Sequence, residues 1–293
     1  MSGVAVGRRA STARPSLWVR LKPRLSVGAW AAPALIWQLV FAAVPLALLV
    51  LMSFWTLSEY QVSKEFTLDN YSRLFSDSIY LQAYLRSLLL SFTNALLAIL
   101  ISLPFAYALA FHVKPRRQPL ILLIIALPLF TSYLMRMYAW QTVLADNGVV
   151  NAAGLHVKLL FTETGIRLGL LSYFCTIVIL LLYTAMRLVP PELLEAARNL
   201  GATERQVALR VILPQTKLAM AIGGLFAFIL TFGDFVATSI LGGGQAYLFS
   251  AQILDQVRIS NWPGAASLAI VMLITLLLAF AIAFRLALGK RTA

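Results

Sequence analysis

Few residues of this 293-residue chain have the type and spacing that chemistry demands. His112 and His156 each stand alone, at a helix end or in a loop, without the further donors a metal site needs. Cys175 is the single cysteine, so no intrachain disulfide can form, and it reads as a small packing residue. No G-x-x-x-x-G-K-[ST] phosphate loop is present, so the chain itself is not expected to hydrolyse ATP. What remains is polarity in costly places. Arg136, Asp234 and Asn94 lie inside apolar runs, and one orderly polar stretch, EAARNLGATERQVALRVILP, extends from Glu195 to Pro214.

Arg136 lies 18 residues beyond Gln118 and Asp234 lies 17 beyond Lys217, the inner ends of their runs. At 1.5 Å per residue both sit about 25 Å from the inner boundary. An unpaired charge at that depth is expensive. Each could snorkel separately to the outer interface, the two could pair, or Asp234 could attract a cationic substrate along a translocation path. Pairing or a polar structural role ranks first and substrate contact second. Asn94 could be glue between helices or a ligand.

The elements that position these residues follow from hydropathy. A chain that is 60% hydrophobic and only 12% charged does not have a soluble composition. Six runs approach the roughly 20 residues that span a bilayer: Ala29–Phe54, Ala83–Phe111, Pro119–Val143, Leu168–Leu188, Leu218–Leu241 and Gly264–Leu286. The expectation is an all-α protein with six transmembrane helices; the ten-residue alternating segments of a β-barrel are absent. Pro45, Pro104 and Pro128 should each bend or open a span. Tryptophans and tyrosines such as Trp55, Tyr138 and Trp262 suit an aromatic belt.

The net charge of +13 could suggest nucleic acid, but its distribution argues against that. Basic residues cluster in Arg8–Arg24, Lys114–Arg117, Arg187–Lys217 and Arg285–Arg291. This asymmetry is the positive-inside pattern, and it places both termini and the 190–214 loop in the cytoplasm. Arg8-Arg9 is faintly like a twin-arginine signal, yet the apolar run behind it is too long for a signal core. Residues 1–28 therefore read as a basic cytoplasmic tail and 29–288 as the membrane domain.

Within that domain, local rules shape two loops. Thr67 could cap a short helix with Leu68, Tyr71 and Leu74 on one face. In the 190–214 loop, Pro190-Pro191 ends the fourth span and favours a new helix start. Glu192–Leu200 reads as a short helix, Gly201 as its left-handed C′ residue, and Thr203 with Gln206 as the capping box of a second helix that stops at Pro214. Ala196 and Ala197 leave one side small, while Leu193, Leu194 and Leu200 offer apolar contact. Such a segment could float as an amphipathic hairpin at the headgroups or dock a soluble partner.

The pattern E-A-A-x(3)-G, followed by an I-x-P, resembles the signature loop of permease subunits of bacterial binding-protein-dependent ABC importers. Here it is Glu195, Ala196, Ala197, Gly201, Ile212 and Pro214. YLMRMYAWQTVLADNGVVNAAG, FGDFVATSILGGG and NWPGAASLA are similar to the spermidine/putrescine branch, which includes opine-type importers. The resemblance runs from the first outer loop to the sixth span and leaves the tail outside. It implies the type I importer (MetI-like) fold and a short helix that docks into a cytoplasmic ATPase. It also implies two such ATPase subunits carrying ATP and Mg, a second permease that is more often a sibling than a copy, and a periplasmic binding protein delivering a small, cationic amino compound. A secondary transporter or channel is the competing reading. It would require a charge relay or an inverted repeat, and only Arg136 and Asp234 could serve the first.

Overall fold

A computed structural model describes residues 32–58, 61–154 and 156–288. The tail expected over 1–28 lies outside the described residues. The chain divides into two compact units, Met1–Leu51 and Met52–Ala293. The first contains most of helix α1 (Ala32–Ser53), with mean hydropathy 2.4 and exposed Leu35, Ile36 and Trp37.

The second unit opens with a small antiparallel hairpin, β1 (Thr56–Ser58) and β2 (Gln61–Ser63), pairing Leu57 with Val62. Helix α2 (Asp69–Ser76) follows. Thr67 Oγ1 accepts the Asp69 N–H at 3.1 Å, but from one residue ahead of the N-cap, which is Leu68 and not the expected Thr67; Leu74 is buried while Leu68 is exposed. Asn70 ties this helix to the carbonyls of Ser53 and Trp55.

The core is built by α3 (Ser78–His112), α7 (Glu163–Arg187) and α9 (Glu204–Phe232), which pack on one another. Ala98, Ala106, Ala110, Ala219 and Ala227 let these backbones approach, and Leu170, Phe174, Leu182 and Met186 fill the space between them. That division suits a bilayer, where close van der Waals packing rather than water exclusion joins helices. A further long helix, α12 (Trp262–Leu288), completes the bundle.

Five helices are long and apolar enough to cross a membrane: α1, α3, α7, α9 and α12. The third expected span is not one helix. It is a bent pair: α4 (Gln118–Phe130) and the segment Tyr133–Ala152, which comprises α5 (Tyr133–Leu144) and α6 (Val149–Ala152), meet at 94°. Pro128 in the final 3₁₀ turn of α4 and the extended Thr131 and Ser132 make the break. Counted as one span, the pair brings the total to six.

Two other boundaries differ from expectation. The fifth span does not continue to Leu241: α9 ends at Phe232, Gly233–Phe235 are non-helical, and α10 (Val236–Leu241) starts afresh. Nor does Pro214 stop the helix that enters this span. A π turn, Ala208–Ile212, precedes the proline and α9 runs straight on. A proline ring collides with the carbonyl four residues back, here Arg210, and the wider π turn moves that carbonyl aside. Pro45 stands in the same relation to the π turn Leu39–Ala43. Pro104 is carried inside α3, which turns π at Ala108–His112.

Candidate functional site

The 190–214 loop is a rigid bracket. Helix α8 (Pro191–Asn199) starts with proline at its first turn beside Glu192, where the ring needs no N–H partner and the dipole favours a negative charge. Gly201 follows with φ +81°. The Ala202 N–H donates to the Ala197 carbonyl at 3.1 Å and the Gly201 N–H to that of Arg198 at 2.9 Å, a complete Schellman closure. The capping box is also formed: the Thr203 N–H donates to Gln206 Oε1 at 2.8 Å and the Gln206 N–H to Thr203 Oγ1 at 3.4 Å.

Across the glycine turn, Arg198 donates to both Glu204 oxygens at 2.8 and 3.2 Å. This bond holds the guanidinium pKa above its ordinary value. The pair is exposed, so it orders the turn more than it stabilises the protein. Sequence reasoning missed it, although both residues stand three positions from Gly201 and could have been flagged.

Leu194 is buried and Ala197 packs against the core beside Val189 and Val207, which anchors α8. Glu195 and Ala196 face outward. Leu188 and Leu200 are 82% and 89% exposed, leaving apolar surface at each end of the helix. Ile212 is buried within α9, and Pro214 lies on that helix's surface. The six signature residues therefore divide into an exposed face, a closed glycine turn and a core anchor.

A second polar site lies where both broken spans open. Asp234 sits in the break between α9 and α10. Its Oδ1 accepts the Ala237 N–H at 2.6 Å, and its Oδ2 accepts the hydroxyl of Tyr133, the first residue of α5. The Asp234 carbonyl accepts from Thr238 Oγ1 and Ser250 Oγ at 3.0 and 2.6 Å, the latter from α11 (Phe249–Arg258). Arg136, one turn along α5 from Tyr133, does not pair with Asp234. Its Nη2 donates to Thr131 Oγ1 at 2.7 Å, and its guanidinium lies 4.9 Å from the ring centre of Tyr173 on α7. The expected ion pair is thus replaced by two aromatic intermediaries, for the Tyr133 and Tyr173 rings are 5.5 Å apart. Asp234 is already satisfied by a helix-start N–H and a phenol, so it has no need of the guanidinium. Tyr133 and Tyr173 were not singled out from sequence; the i, i+3 spacing of Tyr133 and Arg136 was the available signal.

Asn94 is fully buried on α3, and its Nδ2 donates to Thr231 Oγ1 on α9 at 3.1 Å. It joins two core helices. Among the described residues no group of three His, Cys, Asp or Glu could hold a metal.

A family model described as "Binding-protein-dependent transport system inner membrane component" matches residues 102–293, which include the loop, Arg136 and Asp234. The chain belongs to this family. The permease is 32% identical over 253 residues to the spermidine/putrescine transport system permease protein PotB of Haemophilus influenzae, covering 83% of this chain and 88% of that one. PotB of Escherichia coli (strain K12) is 29% identical over 249 residues, 82% of this chain and 90% of that one. In fold, the permease matches a bacterial ABC transporter that imports the acidic polysaccharide alginate, with TM-score 0.75 and 21% identity over 92% of this chain and 98% of that chain. The chain is therefore a multi-pass inner-membrane permease subunit of an ABC importer, and the reading as a secondary transporter or channel gives way to that membership.

Proposed function

We propose that the permease forms half of a translocation path for a small organic cation of the spermidine/putrescine class. A sibling permease supplies the other half, and two cytoplasmic ATPase subunits carrying ATP and Mg drive the cycle. Both termini and the 190–214 loop face the cytoplasm, as the basic clusters favour. A periplasmic binding protein delivers substrate at the opposite face; the alginate importer's crystallisation with a substrate-bound periplasmic protein supports such a partner.

The observation that carries the coupling role is α8, closed at its C-terminus by the Schellman turn that leads into the capping box of α9, anchored by Leu194 and presenting Glu195 and Ala196 outward. A lever between soluble motor and membrane spans must be stiff, and the Schellman closure and capping box fix the turn from α8 into α9 while Leu194 anchors α8 to the core. Because α9 is unbroken from Glu204 to Phe232, displacement of the bracket is passed directly to the helix that ends beside Asp234. The charge of Asp234, together with the kinship to PotB, supports a cationic cargo.

The test is uptake by proteoliposomes holding the whole complex, with ATP on the ATPase side. Radiolabelled 1,4-diaminobutane or spermidine should accumulate only with ATP and the binding protein. Accumulation of a neutral sugar without either amine would overturn the cation assignment.

A further inference from the structure

Arg136 is held in an unusual way for an arginine inside an apolar segment. Its Nη2 reaches only Thr131, at the break between α4 and α5, by a 2.7 Å bond to the hydroxyl and a 3.5 Å bond to the carbonyl. Its Nη1 is buried and has no hydrogen-bond partner. A structural arginine would spend its donors on carboxylates or carbonyls. This one spends its charge on an aromatic face, that of Tyr173 at 4.9 Å, well within the range of a cation–π contact. Next to that face stands Tyr133, 5.5 Å away ring to ring, with its hydroxyl on the Asp234 carboxylate.

Aromatic face, phenol and carboxylate in sequence are what an alkylammonium group would be expected to seek. We propose that the Arg136 guanidinium is an intramolecular stand-in for the transported ammonium, resting on Tyr173 in the empty permease and yielding that seat when substrate arrives. This inference rests on the cationic cargo proposed above. Exchange of the guanidinium for one ammonium of the cargo leaves the charge on the Tyr173 seat unchanged, so that ammonium does not add a lone charge there. The arginine can yield because neither of its anchors is strong, and because α5 and Thr131 flank a break rather than a continuous helix. Asp234 keeps its own hydrogen bonds throughout, since none of them involves Arg136. In the empty state the guanidinium also blocks the seat against smaller cations, which makes Arg136 a specificity-determining residue.

The experiment uses the assembled transporter in nanodiscs, without ATP or binding protein, carrying Tyr173→Trp as a fluorescent reporter. It is titrated with 1,4-diaminobutane and, as an uncharged match, 1,4-butanediol. Removing the internal competitor with Arg136→Gln should lower the half-saturating diamine concentration roughly tenfold, the scale of one cation–π contact. Arg136→Lys, a point charge that stacks less well, should fall between the two, and the diol should shift nothing. Should Arg136→Gln shed its partner subunits, Arg136→Met offers a neutral side chain of similar length. Equal half-saturation with and without Arg136 would make it a mere strut and overturn the proposal while the cationic cargo stood. Failure of the diamine to bind any of the variants would overturn both.

Discussion

Gly201 has φ +81° and no atom within 4 Å of the position a Cβ would take. A substitution there meets no steric neighbour, only backbone strain. Gly201→Val should therefore cost roughly 1–2 kcal/mol, while Gly201→Asn, tolerant of the left-handed region, should cost less; thermal unfolding of the purified complex would rank the two. Asp234 allows a sharper separation. Tyr133→Phe removes one donor from a buried carboxylate and should destabilise by about 1–3 kcal/mol. Asp234→Asn keeps an acceptor for Ala237 and should unfold near the wild-type temperature, yet diamine uptake should fall the further of the two. Similar stability losses with unchanged uptake would reduce Asp234 to a structural group. The glycine turn and the Thr203 capping box were legible in sequence because each is decided by residues within one helical turn. The partners of Arg136 were not, because a charge inside a bundle chooses among side chains that only tertiary packing brings near. Tyr173 lies 37 positions away.

Helices as elements were largely legible. A run of about 20 apolar residues has few alternatives in lipid, and each of the six runs holds at least one helix. Their interruptions were not, since Thr131-Ser132 and Gly233–Phe235 are events of two and three residues inside segments whose average hydropathy stays high. Prolines were an uneven guide: Pro128 marks a true break, as expected, whereas Pro214 is absorbed by a π turn instead of stopping its helix. The second case predicts a register effect. With Pro214→Ala the carbonyl of Arg210 is free to take an ordinary α bond, so the π turn should collapse and rotate everything N-terminal to it by about 100°. Abundance in the membrane should hold or rise, and coupling should drop because α8 then presents a different face. Pulsed hydrogen exchange over residues 204–216 would report the change, with slower exchange in the variant. Unchanged exchange together with unchanged coupling would mean that the turn does not depend on the proline.

For the molecule as a whole, orientation comes first. Single cysteines introduced on a Cys175→Ala background should be labelled by an impermeant reagent in intact cells at position 157, in the loop ahead of α7, and not at position 204. Labelling at 204 from outside would invert the topology and detach α8 from any cytoplasmic motor. The central claim is that α8 couples ATP hydrolysis to the spans, and Glu195 is its most direct probe, being exposed and outside every span. The measurement is ATP hydrolysis in proteoliposomes with and without substrate-loaded binding protein, for wild type and Glu195→Arg, alongside copurification of the ATPase subunits. The account predicts normal membrane abundance for Glu195→Arg, with weakened retention of the ATPases and loss of most of the stimulation. Full stimulation and full retention in that variant would contradict it and return α8 to the status of an amphipathic hairpin resting on the bilayer.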